Sequence, residues 1–118
     1  MDDRQKQYYF EMAKRGRLIH LATEFNGNGI LTYFIGNGKP EKYQNRNPWS
    51  VIEDEPNGDT IYCDQLITGH SKLPTHIAIG IWRDIKRYFK EKYPAINKIR
   101  WVKVQRHRFI NHKEELNG

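Results

Sequence analysis

Asp64 is the residue whose setting first suggests chemistry. It stands in TIYCDQLIT (60–68), a run that places an acid among Ile61, Tyr62, Leu66 and Ile67, and a carboxylate buried there without a partner is costly. Two histidines are candidates for that partner: His20 in RLIHLATEF (17–25) and His70 in the loop GHSKLPT (69–75). An Asp that orients a neutral imidazole makes a general base suited to taking a proton from a lysine or hydroxyl nucleophile. The plainer use of the same acid is a structural ion pair or a loop cap. Gly69, His70, Ser71 and Thr75 form a second candidate, because a small-residue loop entering a helix offers backbone amides and the positive dipole end to an anion such as pyrophosphate. A simple connection would carry the same residues. The third candidate is the basic tail, where Lys103, Arg106, His107, Arg108, His112 and Lys113 are interleaved with Phe109 and preceded by Trp101. Cations beside aromatics suit phosphate contact and base stacking, and equally suit an edge strand guarded by charge. Cys63, flanked by apolar residues, reads as a core filler rather than a nucleophile. No Walker loop, dinucleotide fingerprint, HExxH, paired CxxC or GxSxG is present.

The elements that must position these residues are legible from periodicity. Tyr8, Tyr9 and Met12 fall on one side of a helix over 3–15, and Gly16 is a natural stop. RLIHLATEF, Asn-Gly-Asn-Gly (26–29) and ILTYFI (30–35) predict a β-hairpin. Residues 36–59 hold three of the five prolines and three of the nine glycines, which predicts a long irregular excursion pinned to the core by Trp49, Val51 and Ile52. A strand over 60–68 follows. Ile77, Ile81, Ile85 and Tyr88 or Phe89 then recur at helical spacing, which predicts a helix over about 76–92 lying across the sheet, with Arg83, Lys86, Arg87 and Lys90 mostly on its other side. KIRWVKVQRHRF (98–109) returns to strand chemistry. Strand, helix and strand within so few residues predict a crossover between parallel strands.

At 118 residues the chain predicts one α/β (α+β) domain over 1–118, in the order helix, hairpin, excursion, strand, helix, strand, and excludes a multi-domain enzyme. Fifteen aromatic rings (three Trp, seven Tyr, five Phe) promise a real core. One cysteine excludes an intramolecular disulfide, fits a reducing, cytoplasmic setting and leaves any zinc site to be assembled from histidines and carboxylates, and no metal is proposed. No signal peptide or membrane span is apparent. The net charge of +6 is uneven: residues 1–64 carry 8 basic and 10 acidic side chains, residues 65–118 carry 12 and 4. That asymmetry points the second half at something anionic, a nucleic acid or an acidic protein, with Arg83, Lys86, Arg87, Lys103, Arg106 and Arg108 as the contacts.

The segment GDTIYCDQLITGH (58–70), followed by RYFKEKYP (87–94) and NKIRWVKV (97–104), with ILTYFI (30–35) upstream, resembles the core of toxin-activating lysine acyltransferases, which have a GNAT-like fold. The resemblance covers about residues 30–104. It implies a GNAT-like mixed sheet, Asp64 as catalytic acid, and transfer of an acyl group from a carrier thioester to an amine, with acyl carrier protein or acyl-coenzyme A as donor and no permanently bound cofactor. The family's histidine lies upstream of its first strands. Residues 1–19 hold no histidine, which leaves His20 for that role. The Gly-rich pyrophosphate loop of wider GNAT proteins has no counterpart between Ser71 and Gly80. A noncatalytic binder of the kind phages encode against host systems, working through the basic half, is the competing expectation.

Overall fold

The structure, a computed structural model, describes residues 2–22, 28–37, 43, 45–47, 49–67, 75–105 and 108–115, with side chains placed for all of these except 21–22, 28, 67, 75–81 and 102–115. Helix α1 spans Asp3–Lys14. Its first turn is closed reciprocally: the Asp2 carboxylate accepts from the Gln5 amide at 2.9 Å and the Gln5 side chain accepts from the Asp2 amide at 2.9 Å, satisfying amides that the helix itself leaves unpaired. Gly16 ends it at φ +72°, a left-handed conformation that glycine adopts without strain.

Strands β1 (Leu18–Ala22) and β2 (Asn28–Gly36) form the expected hairpin, and its turn lies outside the described residues. β3 spans Thr60–Ile67 and helix α2 spans Thr75–Lys92. The expected single strand over 98–109 is corrected: β4 covers Lys98–Gln105, and a further strand β5, Arg108–Glu115, folds back on it antiparallel. RFINHKEE carries only two apolar residues, the adjacent Phe109 and Ile110, so no alternation marks it, and its charged second half resembles the guarded edge strand that it forms. The sheet is mixed α+β in the order β1-β2-β3-β4-β5, with β3 and β4 parallel as the crossover predicts and every other pair antiparallel.

Alternation along the strands divides the core in two. Leu31, Tyr33, Ile35, Ile61, Cys63 and Ile99 face α2, where they meet Ile85 and Phe89. Phe34 and Tyr62 point the other way, toward Tyr8 and Met12 of α1 and Tyr43 of the excursion. Trp49, Val51 and Ile52 pack on this second cluster, as the sequence predicts. A Cβ at Gly36 would overlap the Tyr43 hydroxyl, so only glycine lets the excursion lie this close to β2. Past the end of β1, the excursion takes over the outer edge of β2. The Asp54 carboxylate accepts from the Ile35 amide at 2.8 Å and the Glu55 amide donates to the Ile35 carbonyl at 3.0 Å. Ile77 and Ile81 lie outside the described side chains, so the α2 contact rests on Ile85 and Phe89, 1% and 0% exposed.

Candidate functional site

The site is organised by an irregularity in β3. Thr32 opposes Gln65 and its neighbour Tyr33 opposes Cys63, so Asp64 is the extra residue of a β-bulge, a device that re-aims a side chain and interrupts the ladder. The amide of Gln65 is satisfied by the Thr32 hydroxyl oxygen at 3.2 Å. Thr32 in turn lies 2.6 Å from the Tyr8 hydroxyl, which donates to Asp64 through a short hydrogen bond. Because Tyr8 spends its one proton on the carboxylate, Thr32 is the donor to Tyr8. The bulge, α1 and the acid are thereby joined in one chain of hydrogen bonds.

The partner that Asp64 requires comes from the excursion. Nη2 of Arg46 lies 2.6 Å from both carboxylate oxygens, and the two side chains are 11% and 8% exposed. Nη1 donates to the Ser50 carbonyl at 2.7 Å. The guanidinium carbon sits 5.1 Å from the ring centre of Phe34 and 5.8 Å from that of Tyr8, within the range of cation–π attraction. Tyr8 meets Tyr9 and Trp49 edge to face, with centroids 5.1 and 5.4 Å away, and Tyr9 lies tilted against Trp49 at 5.8 Å, closing the surroundings. Burial, reinforced by Asp64, holds the Tyr8 and Tyr9 phenols above their ordinary range. Burial also pushes the Cys63 thiol up, which suits the core filler that the sequence predicts and not a nucleophile. Trp49 has φ 63°, a strained conformation for a bulky aromatic. An open groove of about 520 Å³ runs beside it, lined by Asp3, Arg4, Gln7, Asn47, Trp49 and Ser50.

The His20–Asp64 pair is not formed. His20 is exposed on β1 opposite Ile30, with all of β2 between it and β3, and Asp64 instead contacts Tyr8 and Arg46. Gly69, His70 and Ser71 lie outside the described residues, and Thr75 is placed only as the first residue of α2. Arg83 and Arg87 are exposed on α2 and Lys86 is partly buried beside them. Arg106 is outside the described residues, and Lys103 and Arg108 are placed only as strand residues. The sequence identified Asp64 and its need for a partner but missed Arg46 and Tyr8. The available signal was elimination: Lys39, Lys42 and Arg46 are the cations in the excursion, the one long segment free to cross the sheet. Among the described residues no group of three or more His, Cys, Asp or Glu could hold a metal ion, and no helix is long and apolar enough to cross a membrane.

Fold and site define a mixed α+β protein with a buried carboxylate, guanidinium and phenol assembled on a β-bulge. No family model, no curated protein and no solved structure matches the chain.

Proposed function

We propose that the protein is a GNAT-like acyltransferase that moves an acyl group from the thioester of acyl carrier protein or coenzyme A to an amine. The observation that carries this reading is the parting of β3 and β4. The parallel strands pair from Thr60↔Lys98 to Cys63↔Trp101, and beyond that rung no pairing between them is found among the described residues, although β3 continues to Ile67 and β4 to Gln105. The bulge at Asp64 begins where the pairing stops. The facing edges therefore hold backbone amides and carbonyls not spent on each other, and such groups can bind an extended amide-bearing arm as an added strand would and polarise a thioester carbonyl. The amine nitrogen attacks the carbonyl carbon, the oxyanion is held by amides of these facing edges, and the C–S bond breaks as the C–N bond is completed. The departing thiolate takes the proton that the nitrogen loses. Asp64 acts through Arg46 and Tyr8, fixing the bulge, and His20 is not needed.

Labelled acyl carrier protein or acyl-coenzyme A incubated with the protein and a lysine peptide should yield labelled amide, and His20→Ala should transfer at the wild-type rate. Loss of transfer in a folded His20→Ala would restore the histidine as base, and no transfer from either donor would overturn the enzyme reading.

A second reading is favoured by the outer stripe of α2, where Arg83, Arg87 and Lys90 are exposed at helical spacing and the Arg87 contact with Asp84 is a loose 3.9 Å. In this reading the stripe binds an anionic partner without catalysis. Binding should then weaken steeply between about 50 and 200 mM salt.

A further inference from the structure

We infer that the pocket formed by Tyr8, Phe34 and Asp64 is a recognition site for an arginine side chain presented by another polypeptide, and that Arg46 is its built-in occupant, holding the site shut until displaced. The pocket has the features that guanidinium recognition needs. A carboxylate offers both oxygens at 2.6 Å, two aromatic rings lie 5.1 and 5.8 Å from the guanidinium carbon, and the surroundings are dry enough that donor and acceptor are about nine-tenths buried. A planar, weakly hydrated cation is favoured there over a compact ammonium.

The occupant, however, is carried by an irregular turn and not by a helix or strand. That turn is held by the Ser50 amide donating to the Asn47 carbonyl at 3.2 Å and by Arg46 itself donating to the Ser50 carbonyl at 2.7 Å. It includes the strained Trp49 at φ 63°, so the closed form carries a backbone cost that the open form can release. The outer side of the same turn, with Asn47, Trp49 and Ser50, makes one wall of the groove whose other wall is Asp3, Arg4 and Gln7 of α1. Lifting this turn would remove Arg46 from the carboxylate and extend the groove into the pocket in one movement. An incoming chain laid in the groove would bring its arginine to Asp64. Because the tethered Arg46 competes, the apparent affinity of the closed protein is reduced by the fraction of molecules that are open.

The test is binding, read by the indole signals in an NMR titration with n-propylguanidinium and, separately, n-butylammonium, and so is independent of any acyl transfer. If the open state is populated at about 1–10%, Arg46→Ala should bind n-propylguanidinium about 10- to 100-fold more tightly than wild type, and Arg46→Ala/Asp64→Asn should lose that gain. A folded Arg46→Ala that binds no more tightly than wild type overturns the proposal, and equal binding of n-butylammonium overturns the guanidinium assignment. Should Arg46→Ala fail to fold, Arg46→Lys keeps the charge while losing the planar stack and a donor. It should show an intermediate gain, and no gain would overturn the proposal equally.

Discussion

The two faces of the sheet are built on different principles. Toward α2, ten buried apolar or weakly polar residues, from Ile19 to Ile99, form one cluster. Its polar exception lies at the margin, where the Tyr33 hydroxyl is 2.7 Å from that of Tyr93 and Arg17 donates to Tyr93 at 3.0 Å and to Asp54 at 2.7 Å. Toward α1, the cluster is aromatic: Tyr43 stacks between Phe34 and Tyr62 with centroids 5.5 and 4.3 Å away, and a buried ion pair stands at its side. The first face is held by area removed from water, which tolerates approximate shape. The second depends on particular partners, because removing either member of a buried pair strands the other. That contrast explains why the candidate site sits on the α1 face, since a surface whose contacts are specific and whose covering segment is irregular can be rearranged without dismantling the core.

The largest effect should come from the α2 face. Ile85 is 1% exposed among Phe89, Leu31 and Ile61, and Ile85→Asp places a carboxylate there with no cation to meet it. The expected cost of several kcal/mol approaches the whole stability of a typical domain, about 5–15 kcal/mol. Circular dichroism should show the variant unfolded at room temperature. A folded variant would mean that α2 packs through another stripe.

On the α1 face the prediction concerns a difference between single and double variants. Arg46→Met alone should cost about 3–5 kcal/mol, because Asp64 is left charged and buried, while Arg46→Met/Asp64→Leu should recover most of the loss by replacing the pair with apolar groups of similar size. Denaturant titrations of the two single variants and the double complete the cycle. If the double variant is no more stable than Arg46→Met, the pair is not the desolvated ion pair that its exposure of 11% and 8% describes.

The same contrast governs how much the sequence reveals. Both helices, the first hairpin, β3 and the parallel crossover follow from local periodicity and caps, since a helix face or strand alternation is written within a few neighbouring residues. Asp64 was legible as an anomaly. Its partners were not, because Tyr8 lies 56 positions before it and Arg46 lies 18 before it, and no spacing rule connects a helix, an irregular turn and a bulged strand. The bulge itself left no mark, since alternation along TIYCDQLIT reads smoothly through Asp64. Strand β5 was hidden because its second half carries four ionisable residues, His112 to Glu115, whose place at a sheet edge comes from pairing with β4 and not from their own preference.

A smaller effect separates the faces by pH. Each buries a phenol: Tyr33 toward α2 and Tyr8 toward α1, 0% and 1% exposed. Both titrate above their ordinary range, chiefly through burial, with Tyr93 adding to the rise at Tyr33 and Asp64 at Tyr8. Tyr43, between the rings of the α1 face, is raised to about 12 by burial and then by Glu55 and Asp54. A phenol whose folded pKa is raised contributes stability that is complete below the unfolded value near 10 and is lost as pH rises, because the unfolded chain sheds a proton that the fold retains. Each such group makes stability fall by up to about 1.4 kcal/mol per pH unit above pH 10. Tyr33→Phe and Tyr8→Phe should each make that decline shallower by up to one such increment. At neutral pH Tyr8→Phe should cost more, since it takes a donor from a buried carboxylate, whereas Tyr33→Phe breaks a bond to another phenol. Urea midpoints measured at pH 7 and at pH 10–11 separate the two effects. Equal losses at neutral pH would mean that the Tyr8–Asp64 bond is worth no more than the Tyr33–Tyr93 bond, and that the α1 face is less dependent on its particular partners than its geometry implies.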